Sequence, residues 1–489
     1  MIKALELPNM ENRIDNLQGT IVIGESGKRY RLSQKIGLGA QGVVYEDDSG
    51  NFVVKLYHAE FATNHIMEQL RFVKKVKLPS NFIPVEDLLC EPHVGFVMKR
   101  IVDHEPLDAY LLPDPKQPFH KWYNKEKGFF GRLFLGRMIA TAFGKLENEN
   151  LSYCDISGKN ILVCAKKQAS VQMIDVDNIY VAGRGNPGVL GTPRYIAPEV
   201  VKGLNTPDVF SDNYSLAVIL YELLRVGHPY ISDEIANGSP EDEAKALAGE
   251  CDYISPENST HLLPEDVVFT TRLRNLFSRC FKDGKFNRIK RPSAKEFEFA
   301  LIEASNNVIK CPHCGAWHYP RKAGKKWNPC PWCDGESSPK ARIQFYDFFF
   351  EGTDYQKAYC DFEKKSQPKA TKKTATNSYV IKDDFKNRVP RFYVVGEKSY
   401  TMGASVAENC FSIYSKNGTC TLVNDGLDMP IKIKHYGNTN FTIVNKDTHC
   451  DLKNGDTLFF EIGDDSPATI VEASNQQFGL IKMAMFMEV

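Results

Sequence analysis

An aspartate with an asparagine five residues on, then an apolar strand ending in a second aspartate, narrows this chain to few folds. The stretch is Tyr153-Cys154-Asp155-Ile156-Ser157-Gly158-Lys159-Asn160, followed by Val171-Gln172-Met173-Ile174-Asp175. Metal-assisted phosphoryl transfer needs such a set. One carboxylate accepts or orients the proton of an attacking hydroxyl, while an amide oxygen and a second carboxylate hold magnesium ions that bridge the phosphates of ATP. Asp-x-x-x-x-Asn alone is common in sequences, so its weight comes from what stands around it.

Upstream, Gly37-Leu38-Gly39-Ala40-Gln41-Gly42-Val43-Val44-Tyr45 follows a strand-like run ending at Ile36. Glycines let a backbone fold tightly over phosphates with no Cβ in the way. Dinucleotide-binding folds use the same spacing, but they need a helix directly after it. Here Val43-Val44-Tyr45, an Asp47-Asp48-Ser49-Gly50 turn and Phe52-Val53-Val54-Lys55 follow, which reads as strand, hairpin and second strand ending in a lysine. Apolar residues at helical spacing predict helices over 63–76 and 130–148. The stretch 112–127, with three prolines and mixed charge, reads as an insertion.

From about Arg31 to Ser305 the chain resembles the protein kinase domain, with its markers in the family's order. The resemblance implies a two-lobed α+β fold and an ATP-dependent Ser/Thr protein kinase. It makes Asp155 the catalytic aspartate, Lys55 the phosphate-pairing lysine, and Asn160 and Asp175 the magnesium ligands. Glu68 is the expected helix partner of Lys55, with Glu60 as runner-up. Gly37, Gly39, Gly42, Val44, Val53 and Leu162 would enclose the nucleotide. Met98 would guard the back of the adenine pocket, and backbone groups of Lys99, Arg100 and Ile101 would bond the adenine edge. Gly191-Thr192-Pro193-Arg194-Tyr195-Ile196-Ala197-Pro198-Glu199 resembles the segment that positions a peptide in Ser/Thr kinases, with Thr192 beside Asp155. Asp212 is expected to bond the catalytic-loop backbone, and Glu199 to pair structurally with Arg291.

The chain also departs from the family. Tyr153-Cys154 replaces His-Arg, and Asp175-Val176-Asp177 replaces Asp-Phe-Gly, keeping the metal ligand but losing the glycine. Ser157 stands where Ser/Thr kinases have a lysine, so Lys159 is the expected γ-phosphate cation.

Cys311-Pro312-His313-Cys314, fifteen residues, then Cys330-Pro331-Trp332-Cys333 is zinc-ribbon spacing. Four thiolates suit structural zinc and leave no open position for chemistry. Arg321, Lys322, Lys325 and Lys326 among Trp317, Tyr319 and Trp327 allow a weaker alternative, a nucleic-acid-associated regulator. A pseudokinase scaffold is the other alternative. The 489 residues carry 61 basic and 61 acidic side chains, so no global field points to nucleic acid or an anionic membrane. No signal-peptide-like or membrane-spanning run is seen, and scattered cysteines suit a cytoplasmic location.

The organisation expected is a lead-in at 1–18, the kinase domain at 19–306, the ribbon at 307–340 and a strand-like connector at 341–363. A basic flexible linker at 364–385 then leads to an all-β domain at 386–489, a β-sandwich or barrel. There, Leu452-Lys453-Asn454-Gly455-Asp456 faintly resembles a turn of forkhead-associated domains, without that family's phosphothreonine-binding residues. A generic protein partner is the expectation for this domain.

Overall fold

The computed structural model describes residues 14, 16–164, 170–181, 191–323 and 326–338, together with backbone strands between 341 and 488. The chain divides into two compact units, one of residues 1–126, 135–265 and 271–298, the other of 127–134, 266–270 and 299–489.

The first unit opens with a six-stranded antiparallel sheet. Its strands are β1 (Ile21–Ile23), β2 (Arg29–Leu38), β3 (Gly42–Asp47), β4 (Phe52–Tyr57), β5 (Asp87–Leu88) and β6 (Gly95–Lys99), in the order β1-β2-β3-β4-β6-β5. The period of two along a strand puts Tyr30 and Leu32 on one face, where they join Val43, Tyr45, Val54, Leu56, Leu89 and Val97. The β3–β4 turn is closed by the Ser49 amide donating to the Asp47 carboxylate, with Gly50 in the left-handed region at φ +71°. Of the loop glycines, Gly42 is required by the sheet itself, since a Cβ there would lie 2.0 Å from the Leu56 carbonyl oxygen.

Helix α1 (Asn64–Lys75) starts where the Thr63 hydroxyl accepts the Ile66 amide, and carries Lys74 and Lys75 at its dipole's negative end. Leu70 and Val73 face the core, and Glu68 faces solvent. Beyond β6 come β7 (Glu105–Pro106) and α2 (Asp108–Leu111). The stretch read as an insertion contains a short helix, α3 (Phe119–Tyr123), whose Trp122 and Tyr123 are buried. The Trp122 indole donates to Ala109 O and the Tyr123 hydroxyl to Leu224 O, so aromatic burial ties this piece into the fold.

Helix α4 (Gly128–Asn148) delivers the chain to β8 (Leu151–Ser152). The strands β9 (Ile161–Cys164) and β10 (Ser170–Met173) pair as a hairpin extended by β7, and β11 (Tyr180–Val181) pairs with β8. After α5 (Pro198–Val201), helix α6 (Val209–Arg225) runs through the core, buried from Ser211 to Arg225. Asp208 and Ser211 form its capping box. Edge-on aromatic contacts surround it, with Tyr221 at 5.2 Å from Phe277 and 5.8 Å from Phe281. The expected Ser293–Glu296 box opens the helix Ala294–Asn306.

In the second unit two small hairpins, Ile309–Lys310 with Trp317–His318 and Lys322–Ala323 with Lys326–Trp327, frame the cysteines. Tyr319 meets Phe129 edge-on at 5.2 Å, Trp317 lies 4.9 Å from Phe130, and Arg321 pairs with Asp266 at 2.5 Å. Further strands form two antiparallel sheets, one of six and one of five strands. The strand Ala341–Phe349 pairs along its length with residues 480–488, so it belongs to the C-terminal sheets and is not a connector. The linker at 364–385 and the forkhead-like residues 453–456 lie outside the described residues.

Candidate active site

Short elements of the first unit bring the expected catalytic residues together. The Ile174 amide donates to Asn160 O at 3.0 Å, which holds the end of the strand bearing Asp175 beside the loop bearing Asp155. Asn160 Nδ2 donates to Asp155 O at 2.9 Å and to Asp155 Oδ2 at 3.1 Å. Its amide hydrogens are thereby directed to Asp155, and its carbonyl oxygen is the end suited to a cation. Thr192 Oγ1 donates to Asp155 Oδ1 at 2.7 Å. Asp175 takes left-handed backbone angles, φ 61° and ψ 49°, a sparsely populated conformation for a non-glycine residue. Burial and the Asp177 carboxylate push its carboxyl up, while Lys55 opposes them.

Asp212 behaves as expected, accepting the amides of Tyr153 at 2.6 Å and Cys154 at 3.0 Å. These bonds hold Cys154 at φ 70°. Burial raises the Asp212 carboxyl to about 7 despite the two amide donors that lower it. Tyr153 has a structural task of its own. Its ring packs 5.7 Å from both Phe82 and Phe143, and its hydroxyl donates to Ile174 O.

Lys55 is buried, and its ammonium sits 2.8 Å from Asp175 Oδ1 and 2.8 Å from Asp177 Oδ2. The expected partners, Glu68 and Glu60, are both exposed, so the lysine's counter-charges come from the Asp-Val-Asp segment. The Tyr57 hydroxyl donates to the same Asp177 oxygen. Helix α1 turns Gln69 toward this region, where its amide donates to Asp177 O at 3.2 Å and Ile179 O at 2.6 Å. Spacing from Lys55 could not choose among acidic residues. The signal was the second aspartate of Asp-Val-Asp, read from sequence only as a lost glycine.

Met98 is buried opposite Val53, while Lys99 and Arg100 are exposed. The Arg100 amide donates to Asn51 O at 2.9 Å, so of the three residues expected at an adenine edge this one has its N–H engaged within the sheet. Gly37 and Gly39 lie on the loop side of β3, with Val44 beside Gly37 and Leu162 on β9. Lys159 is exposed; burial pushes the Asp108 carboxyl up, and the Lys159 charge opposes that. On the far side of Thr192, the Tyr195 hydroxyl donates to Glu222 at 3.0 Å, and the Arg194 guanidinium pairs with Glu222 at 2.5 Å. Arg291 clasps Glu199 through two bonds of 2.7 and 2.6 Å.

The family model of the protein kinase domain matches residues 30–299. The chain belongs to the protein kinase family. Similar proteins include one named a probable myosin light chain kinase of Dictyostelium discoideum, 26% identical over 262 residues, covering 50% of this chain and 68% of that protein. The serine/threonine-protein kinase RUNKEL of Arabidopsis thaliana is 22% identical over 284 residues, covering 55% of this chain and 20% of the other. Human serine/threonine-protein kinase D3 is 32% identical over 109 residues, covering 21% and 12%. The kinase thus spans a fifth or less of the last two proteins.

In the second unit of this kinase, ligand atoms of Cys311, Cys314, Cys330 and Cys333 all lie within 4.8 Å of one another. Cys311 and Cys333 sulfurs are 3.7 Å apart, and Cys314 and Cys330 sulfurs 3.8 Å apart. A tetrahedron with Zn–S bonds of 2.3 Å has an edge of about 3.8 Å, so the donor set fits zinc. Although desolvation acts to raise it, the Cys311 thiol is pulled down to about 6, chiefly by the amides of Cys314 and His313.

Proposed function

We propose that this protein transfers the γ-phosphate of ATP to a serine or threonine hydroxyl of a protein substrate, with magnesium as cofactor. The observation that carries the reading is the junction of Asp155, Asn160, Asp175 and Lys55 around one half-open site. Asp155 orients and accepts the hydroxyl proton, and Lys55 pairs with the nucleotide phosphates. Asn160 and Asp175 present the oxygen donors that a hard divalent cation prefers. Magnesium bound there supplies neutralisation of the phosphate charge. The segment from Thr192 to Glu199, pinned by Glu222 and Arg291, supports a peptide hydroxyl as acceptor.

The ribbon is read as a structural zinc module and the C-terminal β domain as a surface for a protein partner. The nine cysteines whose side chains are described form no disulfide, in keeping with the cytoplasmic location we propose. Among the described residues no helix is long and apolar enough to cross a membrane. The experiment is magnesium-dependent transfer of labelled phosphate to a generic protein substrate. Asp155→Asn should abolish it. Transfer unaffected by that change, or absent from the wild type, sinks the proposal.

A further inference from the structure

We propose that Asp177, the last residue of Asp-Val-Asp, is the positioning residue that holds Lys55 for the nucleotide phosphates, a task taken here from helix α1. The inference rests on the reading of Lys55 as the phosphate lysine.

A buried ammonium needs a counter-charge, and Lys55 has two, Asp175 and Asp177, each at 2.8 Å. The two are not equivalent. Asp175 keeps 29% of its side-chain surface exposed and is the carboxylate assigned to the cation. Once a divalent cation takes it, its charge no longer belongs to the lysine. Asp177 is 3% exposed and faces Lys55 and Tyr57 instead. It therefore stays with Lys55 whether or not the cation site is filled. Its second oxygen, Oδ1, is buried and has no hydrogen-bond partner among the described residues. That leaves the carboxylate an acceptor with which to follow the ammonium as it turns toward phosphate.

Helix α1 acts on this arrangement from one step away. Gln69 grips the carbonyls of Asp177 and Ile179 across the turn Val176–Asn178. A carboxylate at position 69 would face those two carbonyl oxygens and be repelled, whereas an amide donates to them. Helix α1 thus sets the turn, the turn sets Asp177, and Asp177 sets Lys55. Glu68 points to solvent and takes no part in the chain of contacts.

The test uses the full-length protein and follows magnesium-dependent phosphate transfer, Mg-ATP affinity and thermal melting. Asp177→Asn keeps shape and removes charge. It should lower kcat/KM roughly 10²-fold, the scale of one lost preorganised electrostatic contact, with the loss divided between kcat and the affinity for Mg-ATP. Asp177→Glu should recover part of it, and Glu68→Gln should cost far less. Near-wild-type kinetics in Asp177→Asn, or an equal loss in Glu68→Gln, overturns the proposal. If Asp177→Asn melts early, Tyr57→Phe carries the test, because it deletes only the hydroxyl that aims Asp177. It should lower kcat several-fold, and unchanged kcat counts against the idea. A coupling measurement separates positioning from mere structure. In Lys55→Met, adding Asp177→Asn should cause no further loss of Mg-ATP affinity, whereas independent losses would refute action through Lys55. A wild type that binds Mg-ATP yet transfers nothing would sink the function proposed above. The pairing would then stand or fall on whether Asp177→Asn weakens Mg-ATP binding.

Discussion

Thr192 reaches back 2.7 Å to the carboxylate of Asp155, so the acceptor-side segment and the catalytic loop share one hydrogen bond. Gly191, at φ +104°, makes the approach, since a Cβ there would meet Cys154 O at 2.8 Å. Removing the hydroxyl leaves a half-buried carboxylate with one donor fewer. A hydrogen bond to a charged group contributes about 1.5–3 kcal/mol, or roughly 10- to 10²-fold in rate if it acts in the transition state. Thr192→Val should lower kcat by that factor and Thr192→Ser should retain most of it. Steady-state kinetics at saturating ATP checks this, and equal rates in the two variants would remove Thr192 from the mechanism.

Lys159 is the cation expected to meet the γ-phosphate, because Ser157 cannot. It is exposed and stands one residue before Asn160 on the loop that bears Asp155. Lys159→Ala should cut kcat by about 10²–10³ while changing the KM for ATP far less, as befits a contact made in the transition state. Near-wild-type turnover would refute the assignment.

That Asp155, Asn160, Asp175 and Lys55 cluster was legible in the sequence because each sits in a local pattern. Asp155 and Asn160 share a loop, Asp175 follows β10 by two residues, and Lys55 lies within β4 after the glycine loop. The Glu199–Arg291 clasp was legible for a similar reason, since each half lies in its own motif. The partner of Lys55 was not. It depends on which of several acidic residues the fold swings inward, and helix phase turned Gln69 in and Glu68 out. Nor could composition show that residues 112–127 hold a helix, because Trp122 and Tyr123 are buried by partners far along the chain, including Leu224. Ala341–Phe349 likewise acquires its role only from residues 480–488, well over a hundred positions away.

Zinc and catalysis should separate. The four cysteines lie in the second unit, while Lys55, Asp155, Asn160 and Asp175 lie in the first. Metal binding is folding free energy for so small a module. Cys330→Ser with Cys333→Ser should therefore lose zinc, measured by elemental analysis, and keep most transfer activity on a generic substrate. A variant whose kinase domain remains folded but transfers no phosphate would mean that the ribbon shapes the active site.

The kinase should be active without phosphate on its activation segment. In many members of the family, an arginine before the catalytic aspartate pairs with that phosphate through charge-assisted hydrogen bonds. Cys154 stands there instead, buried and unable to do so. The acceptor is missing as well: between Asp175 and Gly191 the sequence has no serine or threonine, and Tyr180 is its one hydroxyl. Tyr180 is 4% exposed and paired in register with Ser152, so a kinase could reach it only by opening that strand pair. The Thr192 hydroxyl already serves Asp155, and a phosphate on it would replace that donor with negative charge beside a carboxylate. The rival account has Arg184 or Lys159 receive a phosphate in place of the missing arginine. Phosphatase treatment, mass spectrometry over residues 175–199 and initial rates decide between them. Full activity of the unmodified protein is the expected result. A tenfold fall that reverses only as Tyr180 or Thr192 regains phosphate would favour the rival, because no other hydroxyl between Asp175 and Thr192 could carry the switch.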